Sequence, residues 1–185
     1  MFINKDSASN GNVECNTDNN EKRFLEILKE LEITDYNWHE HEALFSADQE
    51  GAEELMFPGL NLKNLLIKDK KTEDFFMVVL EDHRRMNQKH FKQVTGWHKN
   101  RFATPEEMWE LLRLKPGSVT PYALFNDTEK KVTVVLGNEI VTADDAEWIN
   151  LHPCRNTATV SVHRSDFYRI LEKLGNPVIE EQSVE

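Results

Sequence analysis

Hydrophobic positions along the 185-residue chain change their period several times, and each change predicts an element. Phe24, Leu25, Leu28 and Leu31 recur at helical spacing, with Ile27 widening the stripe and Glu26, Lys29 and Glu30 facing away. That pattern predicts an amphipathic helix from Glu21, capped by Asn20. Thr34 to Phe45 reads as extended. Ser46-Ala-Asp-Gln49 has capping-box form and predicts a short helix toward Met56, ended by Pro58 and Gly59. Leu62–Lys68 and Phe75–Leu80, joined by the polar stretch Asp69–Asp74, predict a hairpin. The unbroken apolar run Phe75–Leu80 predicts a strand in the middle of the sheet, buried on both faces.

Further along, Asn87–Val94 reads as a short basic helix ending near Gly96, and Phe102-Ala103 as a brief extended piece. Thr104-Pro-Glu-Glu107 combines a Thr cap, Pro at the first helical position and Glu at the capping-box site. The helix it opens presents Met108, Leu111 and Leu112 to the core and stops before Pro116. Tyr122–Phe125 and Val132–Leu136 flank the polar stretch 126–130 and predict a second hairpin. Trp148–Leu151 and Thr157–Val162 read as two more strands. Ser165 is the expected cap of a last helix carrying Phe167, Ile170, Leu171 and Leu174, with Gly175 as its stop. Strand hairpins mixed with short helices and no internal repeat predict one mixed α/β domain with largely antiparallel pairing. It should occupy residues 20–175, between a flexible arm (1–19) poor in large apolar groups and a tail (176–185).

Composition adds limits. No apolar run approaches the roughly 20 residues needed to cross a bilayer, and the N-terminus lacks the layout of a secretion signal. Cys15 and Cys154 are the only cysteines, so a disulfide framework is not expected and a cytoplasmic location is. The net charge is −11, which argues against non-specific nucleic-acid binding. Yet residues 63–101 carry 10 Lys/Arg against 5 Asp/Glu, a net of +5 inside an acidic chain. Such a block is either a solvated face or a phosphate-contacting one.

Three stretches carry candidate chemistry. Lys63-Asn64 enters an apolar strand, where an unpaired ammonium is costly, so Lys63 either snorkels to the sheet end or points into a cavity. Leu114–Tyr122 (L-K-P-G-S-V-T-P-Y) is stiffened by Pro116 and Pro121 and freed at Gly117, as in a connector or a backbone cradle for a polar ligand. His152-Pro153 precedes Asn156-Thr-Ala-Thr159. A metal at His39 and His41 lacks a visible third ligand. Cys154 as nucleophile lacks an orienting partner, and Ser118 or Thr120 lacks an adjacent base.

In order, K-N-L-L-I-K-D-K-K, F-A-T-P-E-E, K-P-G-S-V-T-P-Y, H-P and N-T-A-T-V resemble the freestanding aminoacyl-tRNA deacylases of the YbaK type. These are related to the editing domain inserted in bacterial prolyl-tRNA synthetases. The resemblance spans about Tyr36 to Gly175. It implies a curved, barrel-like sheet and a cytoplasmic trans-editing hydrolase of translation fidelity. The implied reaction hydrolyses the ester of mischarged tRNA(Pro), foremost Ala-tRNA(Pro), by water attack without metal, cofactor or covalent intermediate. It also implies site residues: Lys63, Asn64, Gly117 and His152 for catalysis, with Ser118, Val119, Thr120, Pro121 and Pro153 around the substrate. Arg84, Arg85, Lys89 and Arg101 are the expected contacts to the tRNA acceptor end, and prolyl-tRNA synthetase is a second candidate partner. The alternatives are a Cys-tRNA(Pro) deacylase, a non-catalytic tRNA or nucleotide binder of the same fold, and a generic thioesterase or amidase.

Overall fold

The computed structural model describes residues 17–43 and 57–181. The expected helix from Ser46 to Met56 lies outside them, as does most of the expected N-terminal arm. The elements run α1 (Thr17–Glu30), β1 (Tyr36–Glu40), β2 (Leu60–Asp69), β3 (Phe75–Glu81), α2 (Gln88–Thr95), β4 (Asn100–Phe102) and α3 (Pro105–Leu112). A 3-10 segment, Pro121–Asn126, follows. Then come β5 (Val132–Leu136), α4 (Asn138–Val141), β6 (Trp148–Leu151), β7 (Ala158–His163), α5 (Arg164–Leu174) and β8 (Val178–Glu180). The domain is mixed α/β. Its eight strands form one sheet in the order β1-β7-β6-β2-β3-β5-β8, with β4 also on β2. Pairings β1–β7, β6–β7, β2–β3 and β2–β4 are antiparallel, and β2–β6, β3–β5 and β5–β8 are parallel.

β3 is an interior strand because both its faces are apolar. Phe75, Met77 and Val79 face the main core, which α1 covers with Phe24, Ile27 and Leu28 and α5 with Phe167, Ile170, Leu171 and Leu174. Phe76, Val78 and Leu80 face a smaller core closed by Phe91 of α2 and by Trp97. The smaller core serves the β2–β3–β5 half of the sheet. On the same face, by strand alternation, the β6–β7–β1 half carries Asn150, Thr159, Ser161 and His39 instead. The polar half of that face is where chemistry becomes possible.

Local signals account for the helix ends. Thr104 and Glu107 form the full capping box of α3, with Pro105 in the first turn. Asn87 caps α2, accepting from the Lys89 and His90 amides, and Gly96 ends it at φ 75. Gly175 ends α5 at φ 72.

Four expectations are corrected. The second hairpin does not form: residues 121–126 are 3-10 rather than strand, and β5 pairs parallel to β3. Pro121 at the first position and the Thr120 hydroxyl, which accepts from the Tyr122 amide, favour the helical turn over an extended run. Asn20 is not a cap of its own helix. It lies buried inside α1, and its Nδ2 donates to Arg113 O (2.9 Å) at the open C-terminus of α3. α5 starts one residue ahead of Ser165, with His163 at the N-cap position. Finally, part of the expected tail is strand β8, whose Val178–Glu180 pair with Val134–Leu136 of β5.

Candidate active site

The edge of β2 that faces away from β3 carries β6 at its start, where Leu60 and Asn61 pair with Ile149 and Asn150. It carries β4 at its end, where Ile67 to Asp69 pair with Phe102 to Asn100. Between these, residues 62–65 have no strand partner on that edge among the described residues. Such a gap leaves main-chain groups to be satisfied by something other than a strand. The Pro/Gly loop docks there.

Asn64 Nδ2 donates to the Val119 carbonyl at 3.0 Å, fastening the loop to β2. The loop turns through Gly117 at φ 86, a left-handed conformation that glycine adopts without steric cost, and Ser118 N donates to Lys115 O at 3.1 Å. Ser118, Val119, Thr120 and Pro121 are buried, whereas Gly117 is exposed. The main-chain amides of Gly117, Val119 and Thr120 find no acceptor among the described residues. The Asn64 Oδ1 atom is buried and finds no donor among the described residues. Its identity is not ambiguous, because the Val119 carbonyl can only accept and so fixes the Nδ2 end. Donors without acceptors and an acceptor without a donor describe a polar ligand site.

Lys63 and Asn64 project to opposite faces of the strand. Lys63 Nζ donates to the main-chain carbonyl of Asp82, which follows β3. His152 and Lys63 each lie two residues past the Asn150–Asn61 pair of the parallel β6–β2 ladder, so they share a face. His152 Nδ1 stands 3.0 Å from Ala158 O. A carbonyl only accepts, so Nδ1 carries the proton and Nε2 keeps a lone pair. Burial holds the His152 imidazole below its ordinary value. The Ala158 bond works the other way, His41 adds to the lowering, and Asp82 opposes it. The ring is therefore neutral at pH 7. Pro153 is buried behind it.

Further polar groups continue across the face. The Ser161 hydroxyl donates to Asn150 Oδ1 at 2.5 Å, and Asn150 Nδ2 donates to Pro58 O at 2.9 Å. His39 Nε2 lies 3.3 Å from the Ser161 hydroxyl, and His41 Nε2 lies 3.0 Å from that of Thr159. The two histidines that suggested a metal are thus engaged with hydroxyls. Asp82, Asn150 and Ser161 are not among the residues that the sequence singles out. Asn150 and Ser161 left a trace as an alternation of polar and apolar positions in two short strands (W-I-N-L and A-T-V-S-V-H), whereas Asp82, just past β3, left none. Cys154 is fully buried, and burial pushes its thiol up, which suits packing rather than attack.

The four expected tRNA contacts separate. The Arg84 guanidinium bonds Glu139 (2.7 Å) and both oxygens of buried Glu181 (2.5 Å each). Arg101 is bidentate on Glu107 at 2.6 and 2.7 Å. Both are committed to carboxylates inside the protein. Arg85 and Lys89 are exposed.

A family model for the aminoacyl-tRNA editing domain matches residues 41–170 of this chain. Among similar proteins is the prolyl-tRNA synthetase associated domain-containing protein 1 of Danio rerio. It is 35% identical over 159 residues, covering 85% of each chain. The prolyl-tRNA editing protein ProX of Acetoanaerobium sticklandii is 27% identical over 149 residues, covering 80% of this chain and 88% of that one. A crystal structure of a protein proposed to be a trans-editing enzyme for prolyl-tRNA synthetase superposes with a TM-score of 0.59 at 17% identity. The match covers 89% of this chain and 98% of that one, and the likeness is one of fold.

Proposed function

The chain belongs to the aminoacyl-tRNA editing domain family, and from that premise we propose that it hydrolyses the ester of mischarged tRNA(Pro), with alanine as the amino acid removed. The observation that carries the reading is the loop at the gap in β2. Among the described residues, three amides of this loop (Gly117, Val119 and Thr120) have no acceptor, and the Asn64 side chain that fastens the loop has a buried carboxamide oxygen with no donor. An aminoacyl ester supplies the complement of both. Its carbonyl oxygen, which gains charge as water attacks, takes the amides, and a ribose hydroxyl or the α-ammonium donates to Asn64 Oδ1.

Each group then has a role. The amides stabilise the developing oxyanion, the kind of donor whose loss costs about 100- to 1,000-fold in rate. The Lys63 ammonium holds the phosphate or carbonyl end of the substrate. The neutral His152 offers its Nε2 lone pair to the substrate amine or to the attacking water. The ester is already activated, so positioning supplies much of the remaining acceleration. Water adds to the acyl carbon; the oxyanion then reforms its carbonyl as the bond from that carbon to the ribose oxygen breaks, and the ribose oxygen leaves as a hydroxyl with the proton given up by the water, releasing the free amino acid. Selection of alanine over proline would be steric, by a site too small for the larger ring, the workable direction for such discrimination.

The test compares hydrolysis of Ala-, Cys- and Pro-tRNA(Pro) by the wild-type protein and by Lys63→Ala. The expected result is fastest turnover of Ala-tRNA(Pro) and a loss of about 100-fold or more in kcat/KM for the variant. Tight tRNA binding with no turnover in either protein would instead identify a binder. Equal turnover by both proteins would remove Lys63 from the mechanism.

A further inference from the structure

Building on the editing reading, we propose that β4 and the two turns beside it form a track for the acceptor end of an RNA. In this track Phe102 stacks an unpaired base, and Lys70, Lys71 and Lys99 contact the phosphates of the duplex beyond. The fold leaves only some of the cations in this block available. Of the ten between residues 63 and 101, Lys63 bonds the Asp82 carbonyl, and Lys68 bridges Glu73 and Glu107. Arg84 and Arg101 are held by Glu139, Glu181 and Glu107. Lys70, Lys71 and Lys99 are exposed and make no ion pair among the described residues.

These three are gathered by a buried carboxylate. Asp69, 1% exposed, accepts from the Lys71 amide (2.9 Å), the His98 amide (2.7 Å) and the Lys99 amide (3.4 Å). Lys70 N donates to Lys99 O at 2.7 Å. The β2–β3 turn and the loop after α2 are thereby stapled into one tip. Those hydrogen bonds hold the Asp69 carboxyl well below the usual range against the opposing effect of burial, so the staple persists at every physiological pH. Glu73, which is paired with Lys68, and Asp74 are the acids exposed on the tip, and residues 83–101 contain none. Lys89 stands close by, since Asn100 ties the start of α2 through Gln88 at 2.5 Å.

The tip and the cleft share an edge. Along β2 the open gap ends at Leu66, whose carbonyl accepts from Ala103, and β4 then occupies the edge as far as Asp69. Phe102, opposite Ile67, is 59% exposed, more than any other large apolar side chain among the described residues. It stands about 10 Å along β2 from Asn64, and Lys70 about 20 Å, at the rise of an extended strand. A ligand whose ester sits at Asn64 and whose chain leaves along this edge meets an aromatic face first and a cationic tip second. That sequence of features matches an RNA with a short unpaired 3′ tail on a duplex: base stacking is sequence-tolerant, and phosphate contacts set register.

The experiment follows hydrolysis and binding of Ala-tRNA(Pro) over a salt series, alongside hydrolysis of 3′-O-alanyl adenosine, which has no tail or duplex. The variants are the triple Lys70→Ala/Lys71→Ala/Lys99→Ala and the single Phe102→Ala. The triple is expected to flatten the salt dependence of tRNA binding by about 2 to 3 in log–log slope. Phe102→Ala is expected to weaken binding by about 5- to 100-fold. Both should leave kcat/KM on the adenosine ester unchanged. The triple Lys→Arg variant and Phe102→Trp should recover tRNA binding, which separates contact from folding. Unchanged tRNA binding and salt slope in both alanine variants would overturn the track while leaving editing intact. The expected binding losses in a protein that hydrolyses neither ester would uphold the track and overturn the editing reading.

Discussion

Gly59 stands one residue before β2 at φ 94, with an ideal Cβ position 2.3 Å from the Trp148 carbonyl oxygen and 2.6 Å from Trp148 Cβ. Both neighbours belong to β6 and are not free to swing aside. Normal contact would require β2 and β6 to part by about 1 Å. Gly96 makes a matched control, since it has φ 75 and nothing within 4 Å of its Cβ position. Alanine at either site carries the left-handed backbone cost of about 1–2 kcal/mol. At Gly59 an overpacking cost of about 1–3 kcal/mol adds to it. Gly96→Ala should therefore lower Tm by about 3 °C and Gly59→Ala by about 9 °C, at roughly 2–4 °C per kcal/mol for a chain of this size. The two should also differ in function, because β2 and β6 carry Lys63 and His152. A shift of about 1 Å between them should lower deacylation about 100-fold in Gly59→Ala, with no effect in Gly96→Ala. Urea and thermal unfolding, with kcat/KM at a temperature where both variants are folded, read both quantities. Equal destabilisation by the two substitutions would refute the claim that close approach of β6, rather than backbone conformation, demands the glycine.

Other consequences are open to direct measurement. Glu181→Gln leaves the Arg84 guanidinium short of its doubly bonded partner and should destabilise the fold by about 3–5 kcal/mol in urea unfolding. In the wild type, burial pushes the Glu181 carboxyl up, but the Arg84 bonds more than reverse it and its folded value is lowered. Arg101 first, then the Thr104 amide and Lys68, bring the Glu107 carboxyl down to about 2. Their stabilisation is thus complete above the ordinary carboxylate range and should drain away between about pH 4.5 and 2, a loss visible as a falling urea midpoint. His152 has a lowered value, so protonation favours the unfolded chain as pH drops below 6.5, and stability should fall there. Because its value lies below the ordinary one, the ring stays more than half neutral at pH 6.5, so deacylation should exceed half its plateau there, and a kcat/KM profile already halved at that pH would contradict this. Thr104→Ala removes the hydroxyl that accepts from the Glu107 amide and should cost about 1 kcal/mol, read as a Tm drop of about 3 °C.

Much of this protein is decided by short-range chemistry, which sequence carries openly. α3 begins where Thr104, Pro105 and Glu107 say it must, since its cap is made by groups three residues apart. α2 and α5 stop at Gly96 and Gly175 because only glycine enters the left-handed region cheaply. The run Phe75–Leu80 announces a strand with two apolar faces whatever its neighbours are. Pairing partners are another matter. Nothing local distinguishes a hairpin between residues 121 and 136 from a parallel crossover onto β3, and burial of both faces of β3 selects the second. The same holds for charge. Arg84 and Arg101 are not distinguished by sequence from Lys70 and Lys99, but only the folded chain brings Glu139, Glu181 and Glu107 to the first pair and leaves the second pair exposed, with no ion pair among the described residues. The site follows this rule too. Its motif residues were legible, but the docking of the Pro/Gly loop at the gap in β2, where three amides and one carboxamide oxygen have no partner among the described residues, rests on a contact 55 residues apart, which no local pattern encodes.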